Sequence, residues 1–487
     1  MNSAEIAALM PFFIALCGIG MYFVTRLLPV SLRRWSGTLT GFLLLAIFCL
    51  LLVVLFRYEA NLQISYIGLT GGLLVTGIGA VAAWASAGTL DPEGPVQFYY
   101  PLFLFALAGA MAVGFATDLF TIFVLVELSA IPVYALCAYQ YRTDPGALPA
   151  AMKYLFQGVM GTLTALLGVA LLFVEGHTLS ISKLPAALAD ASPPVVLFAA
   201  LLVLIGYSVK LGVVPLHTWL PDAYARAPAG VTAIMAGPTK IGVLIAMMLT
   251  LSALPSGGSL PGALGLVITF FAIVTMTAGN LLALGQHDLR YVLAYSSIAQ
   301  MGYILLGFGI GLVYNLPLGF TAGLYYAIAY AMMKAGAFLA VDAFARDAGS
   351  YETARMRGIG ARRPFLGISF DIFIFGLSGV PLTAGFLGKL LLEQAGMATL
   401  TLSGVALALV LALNCVLSLG YYVPLISTLM FCGTEEESCP VAHAQIPLQV
   451  VSAIVFLAVV TVYMGLFPES FTWISHAGLQ IFIGRNP

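Results

Sequence analysis

The stretch GYSVKLGVVPLHTWLPDA, residues 206–223, decides how the chain is read. An apolar run carries Lys210 near its centre, and Pro215 interrupts it five residues later. His217 and Asp222 follow closely. Proline removes a backbone N–H and clashes with the preceding turn, so a helix cannot run through this stretch undisturbed. A lysine beside a helix break is a poor design for a soluble core. It makes sense where the backbone must be interrupted deep in an apolar medium.

The rest of the chain supplies that medium. Of 487 residues, 61% are hydrophobic and 8% are charged. Soluble domains carry roughly 25% charged residues. No single core absorbs that apolar excess, so lipid is the solvent for most of the chain. The net charge is −1, with 19 Lys+Arg against 20 Asp+Glu, and this argues against a nucleic-acid partner. Cys17, Cys49, Cys137 and Cys415 lie in apolar runs and read as small hydrophobes. Cys432 and Cys439 flank the acidic loop FCGTEEESCP and read as unpartnered, with a disulfide or metal clip as the alternative. The first 26 residues read as a membrane span rather than a cleaved signal, because no small-residue cleavage site follows them.

A membrane span needs about 20 largely apolar residues. The sequence predicts about 14 helices: 5–26, 36–56, 64–86, 97–115, 117–139, 149–174, 196–215, 229–253, 261–285, 290–311, 316–343, 366–396, 402–430 and 444–467. The expected fold is therefore an all-α polytopic membrane protein forming one membrane domain over 1–487. If the loops alternate sides, eleven arginines fall on one side and three basic residues on the other. Five further lysines lie within spans. The asymmetry follows the positive-inside rule. It places the chain in a cell membrane as a multi-pass protein, with both termini on the non-cytoplasmic side.

A charge at the bilayer centre costs roughly 2.5–3.5 kcal/mol. Five lysines, Lys153, Lys210, Lys240, Lys334 and Lys389, would cost on the order of 12–18 kcal/mol by the same scale unless partners or water offset it. Glu127 is the one acid in the middle of a span; Glu393 and Asp371 read as nearer helix ends and solvated. Burial and nearby carboxylates readily tune a buried lysine, and a broken helix can admit water. Glu127, Lys210, Lys240, Lys334 and Lys389 therefore read as a proton relay. Lys153, His217, Asp222 and Glu393 are accessory candidates. Each has a plainer alternative: Lys153 can snorkel, His217 can sit at an interface, and Lys334 can simply pair with a neighbouring carboxylate. No metal cluster, nucleotide fingerprint, haem motif or nucleophilic triad is visible, so no cofactor is expected on this chain.

Two short matches repeat in order. M-K occurs in AAMKYLFQG (150–158) and AMMKAGAFL (331–339). V-P-L occurs in LGVVPLHTWL (211–220) and LSGVPLTAGFL (377–387). They predict two related five-helix units, 97–253 and 261–430, after a three-helix segment 1–96 and before a last helix and tail, 431–487. An odd number of crossings per unit inverts one unit relative to the other, with discontinuous helices meeting near the midplane. Pro215 and Pro381 mark the two breaks.

VKLGVVPLHTWLPDAYARAPAGVTA, GPTKIGVL, DLRYVLAYSSIAQMGYILLG and GVPLTAGFLGK resemble the antiporter-like subunits of respiratory complex I, of multi-subunit cation/proton antiporters and of membrane-bound hydrogenases. The resemblance runs from about Val96 to Met430. It implies a charge switch between Glu127 and Lys210, a bridging role for Lys240, a further lysine at Lys334 and a terminal carrier at Lys389. It also implies a proton-translocating subunit, closest to the N type, with iron–sulfur clusters and a flavin or equivalent in peripheral redox partners and with other antiporter-like and small membrane subunits beside it. HTWLPDA is more similar to the M, L and antiporter types, and the D-type antiporter subunit stands as the alternative. A self-sufficient solute transporter and a passive scaffold are the readings from other classes.

Overall fold

A computed structural model describes residues 3–56, 66–431 and 445–483. Three helices open the chain: α1 Ser3–Leu27, α2 Trp35–Phe56 and α3 Tyr66–Thr89. The next series comprises α4 Val96–Ala112, α5 Leu119–Cys137, α6 Ala147–Gly176, the interrupted pair α7 Pro193–Leu211 and α8 Leu220–Arg226, and the kinked pair α9 Ala229–Ala236 and α10 Pro238–Ser252. A second series follows: α11 Leu260–Leu284, α12 Leu289–Val313, α13 Pro317–Ala348, the interrupted pair α14 Pro364–Ser378 and α15 Ala384–Met397, and α16 Leu402–Met430. Helices α17 Leu448–Leu466 and α18 Thr472–Ile483 close the described part.

Among the described residues, thirteen helical stretches are long and apolar enough to cross a membrane. The sequence-based span 366–396 is interrupted where Pro381 marked a break: α14 and α15 are each too short to qualify, and together they supply the fourteenth crossing. Span 229–253 is less regular than expected. It kinks at Gly237, and Pro238 opens the next helix at its first position, where a missing N–H costs nothing.

Both interruptions use the same local device. α7 ends on Gly212 at φ 76° and α14 on Gly379 at φ 93°, the left-handed conformation that closes a helix and favours glycine. In each, the following valine N–H reaches back: Val213 to Ser208 O at 2.9 Å, and Val380 to Phe375 O at 2.9 Å. Pro215 and Pro381 then prevent the helix from resuming at once.

The two series share a second device. Asp118 caps α5 by accepting from Thr121 N at 2.8 Å, and Asp288 caps α12 by accepting from Arg290 N at 2.8 Å. Each aspartate also forms an isolated antiparallel bridge to the loop after the next helix, Asp118 with Ser180 and Asp288 with Glu352. Five crossings separate Asp118 from Asp288, so the two bridges fall on opposite faces. That is the geometry of inverted units.

Packing grades from the outside inward. Most side chains of α1, α2 and α16 face outward, whereas α9–α10, α12 and α13 are almost wholly enclosed. The outward side chains are large apolars such as Phe42, Leu409 and Val416, as a lipid or protein surface requires. All four deeply buried lysines, Lys210, Lys240, Lys334 and Lys389, sit on or against the enclosed helices.

Candidate functional site

Lys210 lies on the last turn of α7, two residues before the break, with its side chain 4% exposed. Its ammonium is 2.8 Å from Glu127 Oε1 on α5 and donates to Tyr134 Oη at 3.1 Å. A buried ion pair holds only when geometry and further hydrogen bonds offset the cost of desolvation. Tyr134 supplies that further bond, and its ring centroid is 5.6 Å from the ammonium.

The other lysines are held differently. Lys240 follows the Gly237 kink and has no ion pair among the described residues. Its Nζ is 3.5 Å from Tyr330 Oη and lies 5.5 and 5.7 Å from the ring centroids of Tyr224 and Tyr330, within cation–π range. Lys334, fully buried in α13, donates to Leu293 O at 2.9 Å and to Ser296 Oγ, so it does not pair with the carboxylate that the plainer sequence reading allowed. Lys389 on α15 reaches back across the break. It donates to Leu377 O at 2.7 Å and Ser378 O at 3.2 Å, the free carbonyls at the end of α14. A helix C-terminus is a partial negative charge, so the backbone serves here as the counter-charge.

The two breaks match, but the two lysines do not: Lys210 precedes its break and Lys389 follows its own. The repeated feature is the helix end; the charge chemistry around it differs between the units.

Between the second-series lysines runs a polar chain that the sequence reading missed. Gln300 Nε2 donates to Leu377 O at 3.3 Å, the carbonyl that Lys389 also uses, and lies 3.4 Å from Tyr422 Oη. Tyr326 Oη donates to Gln300 Oε1. Ser296, which accepts from Lys334, lies beside Tyr422. Ser296 and Gln300 are one helical turn apart in AYSSIAQMGY (294–303), and that polar spacing within an apolar crossing was the available signal. Between Lys210 and the Lys240 region lies a cavity of about 20 Å³, lined by Ser129, Tyr154, Lys210, Trp219, Met235 and Thr239 among others. A space of roughly 10–15 Å³ suffices for one water when polar partners are present.

The accessory candidates separate. Lys153 does not snorkel alone; it pairs with Asp222 at 2.7 Å, and Tyr291 Oη donates to the same carboxylate at 3.3 Å. Both side chains are partly exposed, 40% and 36%. His217 lies in the non-helical segment after the break, its Nδ1 buried without a hydrogen-bond partner. Glu393 is half-buried, one turn beyond Lys389. Asp371 is not at a helix end: it sits in the middle of α14 with a buried, unpartnered Oδ1. Among the described residues no three His, Cys, Asp or Glu side chains cluster as metal ligands. Cys432 and Cys439 lie outside the described residues.

A multi-pass helical bundle with paired helix breaks and a row of buried lysines defines a class of ion-handling membrane protein. The family described as "NADH:quinone oxidoreductase/Mrp antiporter, TM" matches residues 116–414, and the chain belongs to that family. The chain is 30% identical to the F(420)H(2) dehydrogenase subunit N of Methanosarcina mazei, over 88% of this chain and 86% of that one. It is 34% identical to the NADH-quinone oxidoreductase subunit N of Geobacillus kaustophilus, over 85% and 82%. A chain in the structure of the membrane-bound sulfane sulfur reductase, an archaeal respiratory membrane complex, superposes with a TM-score of 0.84 at 26% identity, covering 98% of both chains.

Proposed function

We propose that this chain is the proton-translocating membrane subunit of a complex I-like oxidoreductase, of the N type. Redox chemistry in partner subunits, which carry the iron–sulfur clusters and a flavin or equivalent, drives it, with NADH or another donor reducing a quinone-type acceptor. The observation that carries the reading is the buried Glu127–Lys210 pair, 2.8 Å apart beside a helix break, at the head of three further buried lysines. The similarity to subunits N of two oxidoreductases supports the redox-driven form over the antiporter form.

In this mechanism the closed pair holds the proton on Lys210. When the pair opens, the ammonium loses its counter-charge and the proton passes toward Lys240 through water in the adjoining cavity. Tyr330, Lys334 and the Ser296–Tyr422–Gln300 chain carry the path to Lys389. Both termini lie on the non-cytoplasmic side, and protons enter from the cytoplasmic face. The neighbours are other antiporter-like and small membrane subunits.

The test is the parent complex reconstituted in vesicles with Lys210→Ala or Glu127→Gln. Proton translocation falls by about 10²-fold, the loss typical when a positioned proton carrier is removed. Wild-type translocation and coupled turnover in both variants would overturn the relay. Co-purification of iron–sulfur subunits separates the oxidoreductase from an antiporter, which brings only membrane subunits.

A further inference from the structure

The relay needs a lysine, a carboxylate and water. The structure adds something that the relay does not require: a closed circuit of aromatic side chains around Lys210. Its ammonium donates to Tyr134 Oη at 3.1 Å. Tyr134 meets Tyr154 of α6 edge to face, with centroids 4.5 Å apart and an interplanar angle of 88°. Tyr154 lies flat on Trp219, with centroids 3.9 Å apart and an angle of 6°. Trp219 Nε1 then donates to Val209 O at 2.8 Å, on the residue before Lys210. The circuit leaves the lysine at its head and returns to it at its backbone.

Trp219 belongs to the segment beyond the break and is 2% exposed. Burying a large ring would by itself be ordinary packing. Two observations go further. The indole N–H is aimed at a carbonyl in the last turn of α7 that also accepts from Gly212 N at 3.1 Å, so the indole and the helix-ending glycine hold the same atom. Trp219 also lines the same small cavity as Lys210. An indole donates and never accepts, and it stays neutral at every working pH, so this link does not change as protons move.

We infer that Trp219 is a positioning residue for Lys210. Its N–H fixes the end of α7, and its face, acting through Tyr154 and Tyr134, holds the ammonium against Glu127. The inference rests on the relay proposed above. It gives HTWLPDA a definite task, because the segment after the break cannot shift without disturbing the Glu127–Lys210 pair.

The experiment uses the complete complex in vesicles. Trp219→benzothienylalanine, introduced by codon reassignment, keeps the stacking face and replaces the N–H by sulfur. Trp219→Leu removes both. Lys210→Ala runs in parallel. Loss of the donor is expected to lower proton translocation about fivefold, the worth of one neutral hydrogen bond, and to shift its pH profile in normally assembled complex. Trp219→Leu is expected to lose more. If the benzothienylalanine variant keeps the wild-type rate and pH profile while Lys210→Ala stops translocation, the positioning role alone is overturned. If Lys210→Ala translocates normally, the relay falls and this inference with it. Should Trp219→Leu fail to assemble, the benzothienylalanine variant still decides.

Discussion

Lys389 and Lys210 show how one side chain can be charged and buried in two ways. Lys210 is paired with a carboxylate, Glu127, whereas Lys389 is held by hydrogen bonds to the carbonyls of Leu377 and Ser378 at a helix C-terminus. Lys389→Met leaves those carbonyls without their ammonium donor. Hydrogen bonds to charged groups contribute about 1.5–3 kcal/mol, so a measurable loss of thermal stability of the purified complex should accompany the loss of translocation. The Lys153–Asp222 pair is a different case, because both partners are partly exposed. A double-mutant cycle with Lys153→Met and Asp222→Asn should return a coupling energy of about 0–1 kcal/mol, as for other exposed pairs. The relay lysines were legible from the sequence because a charge in an apolar run stands out. Their partners were not. Tyr134, Tyr330 and Trp219 look like ordinary belt or packing residues in the sequence, and only the crossing of distant helices reveals what their polar atoms touch.

At the scale of the element, the two helix breaks rest on Gly212 and Gly379. Alanine in the left-handed conformation costs roughly 1–2 kcal/mol. Gly212→Ala and Gly379→Ala should each lower the stability of the complex by about that amount, measured by denaturation in detergent. Asp118→Ala and Asp288→Ala should each cost about 0.5–2 kcal/mol through loss of the cap, with the backbone bridge weakened as well. Both breaks were readable from V-P-L. The kink at Gly237 was not, because Pro238 is tolerated at a helix start and the surrounding apolar run continues without interruption. Pro381 marked the break within 366–396, but not its extent, a five-residue gap between Ser378 and Ala384.

For the whole molecule, the two Asp bridges and the odd number of crossings between them set the topology. Single cysteines at Ser182 and Ala361 lie in loops separated by five crossings, so an impermeant thiol reagent should label them from opposite faces of a sealed vesicle. Labelling from the same face would contradict the fourteen-crossing arrangement. The orientation argument from arginine asymmetry predicts that position 361 is on the cytoplasmic side.

The counter-charge of Lys389 has a consequence for heredity. One nucleotide change can exchange Glu127 for a neutral residue, so the counter-charge of the first unit is exposed to mutation at a single position. The carbonyls of Leu377 and Ser378 belong to the peptide chain itself, and no codon can delete them. A saturation screen for lost translocation should therefore recover counter-charge lesions in the first unit at Glu127. In the second unit it should recover them at Glu393, the carboxylate one turn beyond Lys389, and otherwise indirectly, through residues that displace the end of α14.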